Sequence, residues 1–389
     1  MNVSTVNGFC GSRPVIFEDP ASRSTLARTV FAFGDDLMIP RLDRALGGVR
    51  TTVWDRAGYA LAALTIDVDA SLLDAHSDKE WAAPTFKKGF GFDPLGAWLD
   101  ETREPLAMIF RAGNAGSNTA VDHCDVIMRS IDQLPAAYQA GHQPGGDPTL
   151  VTHPLLVRTD GAGATKEFLA DLVARNVEFS VGFSMNTGLR DRIEAMPDDA
   201  WIAAINTDGT PRRGAQIVEL AGLTGADGWP GGARLICRRE EPHDGATLSL
   251  FDQIHGRRHT LMLTNTIGGD IAGLELRHRQ HARVEDRIRC WKTCGATRQP
   301  AWDAPANEAW LNTSLLALTL IAWTQLIGFE PGSELAKTEP ETFRQRVLHV
   351  AAQHTTRGRR LLLHPDQDWP WTPDIANTYQ QIRRAFAVP

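Results

Sequence analysis

Leu64–Leu72 reads LTIDVDASL, a stretch with the hydrophobic character of a buried strand and two aspartates inside it, Asp67 and Asp69. Side chains alternate faces along a strand, so both carboxylates point the same way. Aspartate is depleted in strands and costly to bury without a partner. Two like charges on one face call for solvent or for a cation. The segment alone leaves a solvent-facing strand end open, and the residues around it have to discriminate.

Working outward, FKKGFGFDPLGAWLD (Phe86–Asp100) predicts a second strand, with Gly89 and Gly91 permitting a bulge or close backbone approach. EPLAMIFRAG (Glu104–Gly113) predicts a third, and the short connections make the three an antiparallel meander. A helix follows, capped by Ser117 or Asn118, with Ala120, Val121, Cys124, Ile127, Met128 and Ile131 as its apolar face. LLVRTDGAG predicts strand four, ending at Asp160; TKEFLADLVARN a helix; VEFSVGFS strand five, parallel to four. Residues 200–268 change character: GAQIVELAG, GARLICRREEP, ATLSLFD and RRHTLMLTN are short strand-like runs around GADGWPGG, an antiparallel insertion. One long helix is expected from Ala272 to Gly295, with further helices over 306–327, 337–355 and 374–386. SRSTLARTVFAF and MIPRLDRALGGV suggest short helices before the first strand.

That order is the order of a ribonuclease-H-like α/β fold: a mixed sheet of three antiparallel and two parallel strands, a β-rich insertion and C-terminal helices. The parts are a short N-terminal helical region (1–60), the first part of the catalytic domain (61–195), the insertion (196–270), the last part of the catalytic domain (271–330) and a C-terminal helical region (331–389). Strand one then lies beside strand four, about 4.8 Å away. Asp67 or Asp69 meets Asp160 at the C-terminal edge, where parallel sheets carry ligands. Mg²⁺ takes oxygen ligands, commonly one or two carboxylates plus substrate phosphates, and two ions about 4 Å apart serve in-line phosphoryl transfer. Glu285 is the candidate third acid. On one helix His278, His281, Glu285, Arg289 and Lys292 form a single stripe, a glutamate amid bases suited to phosphate. A solvated face with a Glu285–Arg289 pair is the plain alternative. The histidines with Glu285 could instead hold zinc or iron, although no second nitrogen or sulfur pair joins them.

Together IDVDASLLDAHSDKE, KKGFGFDPLGAWLD, EPLAMIFRAGNAGSNTAVDH, LVRTDGAGATKEFLADLVARNVEFSVGF and LELRHRQHARVEDRIRCWKTCG resemble the DDE transposases of bacterial insertion sequences, specifically the insertion-sequence 1380 group, related to the insertion-sequence 4 group. The resemblance implies that Asp69, Asp160 and Glu285 are the catalytic acids holding two Mg²⁺ (or Mn²⁺) ions. Asp67 becomes a same-face neighbour. Lys292 keeps the motif lysine, while His278 and His281 stand where a tyrosine and an arginine are usual. It also implies cleavage and strand transfer of an element's DNA, with its terminal inverted repeats and target DNA as partners, a homodimer in the synaptic complex, and no membrane. Arg283, Arg287, Arg289, Lys292 and His281 are candidate phosphate contacts, and Trp229 a candidate for stacking on a base. Relatives carry a longer helical region before strand one. The alternative is therefore a truncated, catalytically impaired relative that only binds DNA or oligomerises.

The totals agree with an intracellular globular protein: 389 residues, 42% hydrophobic and 22% charged. A net charge of −7 argues against a nucleic-acid binder only as a whole-chain average, since a local basic face suffices. Five cysteines, few and odd in number for so long a chain, argue against a disulfide framework and fit a reducing cytoplasm, here a bacterial, nucleoid-associated one. The N-terminus lacks a signal-peptide pattern. LLALTLIAW (Leu315–Trp323) is too short to span a membrane and reads as a core helix.

Overall fold

The computed structural model describes residues 22, 24–25, 28–29, 38–116, 119–220, 228–242, 253–357 and 360–386. Strand β1 (Leu64–Ala70) is its centre. Leu64, Ile66 and Val68 are buried on one face. β2 (Leu95–Leu99) pairs with it antiparallel, with Ile66 opposite Leu99 and Asp69 opposite Gly96. β3 (Pro105–Ile109) continues the meander on the far side of β2. On its other edge β1 runs parallel to β4 (Leu155–Thr159), which runs parallel to β5 (Glu178–Phe183). Strand one thus sits between two and four, as the element order predicts.

The β-rich stretch is not a separate sheet. β6 (Ile202–Ile205), β7 (Pro211–Leu220), β8 (Arg234–Glu240) and β9 (Arg257–Thr264) extend the same sheet, because β9 pairs antiparallel with β5, Leu261 opposite Phe183. The order across the sheet is β3-β2-β1-β4-β5-β9-β8-β7-β6, with a short strand at Gln253–Ile254 beside β9. The apolar alternation of β9 and β8 explains the fusion: Leu261, Leu263, Leu235 and Cys237 join the core that β1, β4 and β5 form. The expected strand at ATLSLFD and most of the expected helix at SRSTLARTVFAF lie outside the described residues, as do the caps Ser117 and Asn118.

Helices cover both faces. α1 (Met38–Ala57), α2 (Ala120–Asp132) and α3 (Lys166–Ala174) pack on the Leu64/Ile66/Val68 face through Val53, Trp54, Val126, Ile127, Phe168 and Leu169. A shorter helix, α4 (Thr187–Glu194), follows β5. The opposite face carries Trp98, Met108 and Phe110 and receives Val284, Ile288, Trp291, Leu311 and Leu315 from the C-terminal half. α7 (Ala304–Gly328) is long and apolar enough to cross a membrane by length and composition. It is instead packed into this body: Leu311, Leu315 and Leu318 fill one core cluster and Trp323 another. Glu104, at the start of β3, ties it down. Its carboxylate accepts bonds from Arg50 and Trp54 of α1 and from Trp323 of α7, at 2.7–2.8 Å.

Three expectations fail. The strand expected over Phe86–Asp100 is split: Phe90–Phe92 pairs with Leu73–Asp74 and Ala83–Pro84 in a separate small sheet, and only Leu95–Leu99 joins β1. The helix over 272–295 is broken into α5 (Ile271–Arg279), a 3₁₀ turn at Gln280–Ala282 and α6 (Arg283–Trp291). A wider turn at Lys292–Ala296 ends it at Gly295, whose φ of 106° favours glycine. Period-3.6 patterning cannot reveal such joints, because they keep side chains roughly in phase. The helix over 337–355 is also absent. Short helical turns at Glu334–Lys337, Pro340–Phe343 and Arg344–Leu348 lead into a hairpin of Ala352–Arg357 with Arg360–Pro365. Beyond it, α8 (Thr372–Ala385) closes the chain against Gly328.

Candidate active site

The register brings the acids together. Val68 pairs with Thr159, so Asp69 and Asp160 stand side by side where β1 and β4 end. Asp67 pairs with Arg158 one step earlier on the same face. Across β1, Asp67 faces Trp98 and Asp69 faces Gly96. A Cβ on Gly96 would fall 2.5 Å from the Trp98 ring and 2.8 Å from Met108, so the indole lies over the glycine, beside Asp69. That apolar wall removes water from a carboxylate.

The two aspartates of β1 then part company. Asp67 is saturated. Its Oδ1 accepts Arg158 Nε at 2.8 Å and His281 Nδ1 at 2.8 Å, and its Oδ2 accepts Arg158 Nη2 at 2.7 Å. Among the described residues, Asp69 accepts only the backbone N–H of Ala70, at 2.8 Å. Burial pushes its carboxyl up to about 6. Neighbouring His281 opposes this, Asp160 adds to it, the Ala70 N–H opposes it and Glu285 adds to it. Asp160 and Glu285 therefore each lie within electrostatic reach of Asp69. Asp160 is exposed and caps the following turn, accepting Ala162 N–H at 2.9 Å. Glu285 is exposed on α6.

The bases on the broken helix face different ways. Lys292 reaches the same edge: its Nζ donates to the Leu72 carbonyl at 2.9 Å. Burial lowers its pKa; Asp74 opposes that, Lys87 adds to it, and Asp69 and Asp93 oppose it. His278 is half-buried, bonded to Ser180 Oγ at 3.0 Å, and desolvation holds it down at about 3, so it stays neutral. With His281 tied to Asp67, both imidazoles use Nδ1 inside the protein. Both rings turn toward the sheet, His278 to Ser180 of β5 and His281 to Asp67 of β1. Arg283 donates to Asp100 at 2.9 Å, and Arg289 forks onto Glu339 at 2.7 and 3.2 Å. Arg287 has its pKa lowered by burial. Trp229 packs edge-on against Phe183, ring centroids 5.0 Å apart, with Lys166 Nζ 5.6 Å from its ring centroid. It is a partly buried aromatic of the core rim rather than an open stacking face.

Sequence reasoning missed three groups. Arg158 carries the signal that singled out Asp67, a charge inside an apolar strand, at the position that becomes its sheet neighbour. Asp100 shares Arg158, whose Nη2 lies 2.9 Å from Asp100 Oδ2. Asp93, in the GFDPLG turn, is buried and bridged to Arg111 at 3.1 Å. Burial raises its pKa; Arg111 opposes this, and Asp160 and Lys292 also act on it. It therefore belongs to the same edge.

As a donor set, Asp69, Asp160 and Glu285 are all oxygen, which suits a hard divalent cation such as Mg²⁺ or Mn²⁺ rather than zinc. The carboxyl of Asp69, raised among like charges, is the group a cation would relieve. The residues fit in kind and charge. Among the described residues, however, no three His, Cys, Asp or Glu side chains are closed up into a metal-holding cluster.

The model of the transposase DDE domain, group 1, matches residues 5–387. The chain belongs to this transposase family. A search of curated proteins returns no match. Among solved structures, the chain is similar to a piggyBac transposase in a synaptic complex with hairpin DNA. The identity is 9% and the TM-score 0.38, over 84% of this chain and 59% of that one. It is also similar to human ENDOV, at 11% identity and TM-score 0.24, over 62% of this chain and 96% of that one. Neither likeness is close enough to inform the site. The chain spans about three-fifths of the piggyBac protein's length.

Proposed function

We propose that this DDE-domain chain is a transposase that cuts and rejoins the DNA of an insertion sequence of the 1380 group, using Mg²⁺ or Mn²⁺ held by Asp69, Asp160 and Glu285 on a ribonuclease-H-like sheet. The observation that carries the reading is the contrast on β1. Asp67 has three donors, whereas Asp69 has one backbone N–H and two acidic neighbours. The bound cations would supply charge stabilisation and an activated attacking oxygen for in-line phosphoryl transfer. The chain's own part is to hold and orient. β1 and β4 set Asp69 against Asp160, α6 brings Glu285, Trp98 keeps water from one side, and Lys292 offers an ammonium to a phosphate at the same edge. Terminal inverted repeats and target DNA are the proposed partners, a homodimer the proposed synaptic form, and the bacterial cytoplasm, at the nucleoid, the proposed setting.

The test is incubation of purified protein with Mg²⁺ or Mn²⁺ and duplexes carrying the inverted repeats that flank its coding region. Metal-dependent nicking at the repeat ends supports the reading. Intact metal binding and salt-sensitive DNA retention without nicking would favour the second reading, a DNA-binding relative that no longer cleaves. The open arrangement of the three acids is the observation on that side.

A further inference from the structure

We propose that the Asp67–His281 hydrogen bond is a positioning latch, pinning the joint between α5 and α6 to β1 and thereby setting where Glu285 stands relative to Asp69. The proposal rests on the reading of Asp69, Asp160 and Glu285 as cation ligands.

α5 passes into α6 through a tighter 3₁₀ turn at Gln280–Ala282, with right-handed helical φ/ψ at Arg279, Ala282 and Arg283. Where this run lies against β1 is set by the packing of Val284, Ile288 and Trp291 and by polar anchors beside the turn. Three of those anchors converge on one buried group of charges. Arg158 Nη1 donates to the carbonyl of Arg277, in the last turn of α5, at 2.8 Å. His281, in the joint itself, donates to Asp67 at 2.8 Å. Arg283, the first residue of α6, donates to Asp100 at 2.9 Å. Arg283 is half exposed, with 48% of its side chain open to solvent, whereas His281 is 13% exposed and Asp67 3%. The His281 anchor is the buried one nearest the joint, about one helical turn before Glu285.

A carboxylate can only accept, so the imidazole proton sits on Nδ1 and the ring orientation is fixed with it. Asp67 is itself immobile: the Arg158 guanidinium grips both its oxygens, an arrangement stronger and more directional than a single bond. Asp67 is thus the rigid post, His281 the catch, and Glu285 the side chain whose placement depends on them. Asp67 acts on the cation only through this chain of contacts.

The experiment titrates Mn²⁺ into the full chain by calorimetry and follows amide hydrogen exchange across α6. It uses His281→Ala, His281→Asn, Glu285→Gln and the double variant H281A/E285Q. An asparagine amide can place an N–H where Nδ1–H was. The expected result is that H281A weakens Mn²⁺ binding about tenfold or more and speeds exchange in α6, while H281N recovers both. The double variant should bind no more weakly than E285Q, because the latch acts through Glu285. Wild-type Mn²⁺ affinity in H281A, or a loss that adds in full to that of E285Q, overturns the proposal. If the wild-type chain binds no Mn²⁺, the cation reading falls by itself and exchange alone decides the latch: unchanged α6 protection in H281A overturns it. Should H281A fail to fold, His281→Gln replaces it against H281N, since its amide stands at the Nε2 position and misses Asp67.

Discussion

Asp67 and Asp69 share a strand and a face, separated by one buried valine, and their surroundings are opposite. Asp67 lies among donors: the Arg158 fork and the His281 ring. Asp69 lies among acids, with Trp98 over the glycine opposite it. Burial is unfavourable for both. In the first case the protein supplies the compensating charge through direct hydrogen bonds; in the second only through space, from His281 and Lys292. A carboxylate without a side-chain donor beside like charges is where an external cation would act, whereas a saturated one is where the fold is being held.

The sharpest way to break that contrast is through chemistry. Asp69→Asn, Asp160→Asn and Glu285→Gln should each lower metal-dependent DNA cleavage by on the order of a thousandfold, the equivalent of several kcal/mol of charge stabilisation. Their melting temperatures should be unchanged or higher. Single-turnover cleavage alongside thermal melts checks this, and cleavage surviving in any of the three variants removes that residue from the site.

Stability comes next and should have the other sign at the other residue. Asp67→Ala leaves Arg158 short of its main partner, and breaking a buried pair costs roughly 3–5 kcal/mol. The lower end is expected here because Asp100 keeps one bond to Arg158. Denaturant unfolding measures it. A loss below 1 kcal/mol would mean that Asp67 is no more of an anchor than Asp69.

The third effect is a pH dependence carried by Asp69. Its folded carboxyl titrates at about 6, against roughly 4 for an unfolded aspartate. Below pH 4 both states hold the proton and nothing is contributed. Between 4 and 6 the unfolded chain releases it first, so stability falls, and above 6 a penalty of about 3 kcal/mol remains. Asp69→Asn should abolish this fall, and saturating Mg²⁺ should offset it in the wild type. Unfolding free energies from pH 4 to 8 test both.

The smallest effect belongs to Arg289. Its exposed fork onto Glu339 should contribute less than about 1 kcal/mol. Arg289→Ala should hardly move the melting temperature. If the arginine leaves Glu339 for a phosphate, the variant should reduce the salt slope of DNA binding by about 1.

Much of this was legible in the sequence. The strand order follows from element succession and from the preference for short connections. The period of a strand and parallel pairing bring Asp67 or Asp69 opposite Asp160, and only the family resemblance prefers Asp69. Three things were not legible, each for a physical reason. The helical period shows that His278, His281 and Glu285 share a stripe, but not that the two histidines bond inward, one to Ser180 and the other to Asp67. The partner of Asp67 lies across a non-local ladder, and only the odd charge in LLVRTD hinted at it. The segment 337–355 has helix-like spacing in its first half, but Ala352–Arg357 finds a hairpin partner whose contribution spacing within one segment cannot register.

The joining of β9 to β5 has a consequence for how the chain reaches this state. The β5 edge is completed by a strand that is synthesised only after β6, β7 and β8, so the central parallel strands wait, half paired, for a distant segment to return. Closure over so long a loop slows assembly. Until β9 arrives, β5 presents an open row of backbone donors and acceptors, the place where a second unfinished chain would most readily attach.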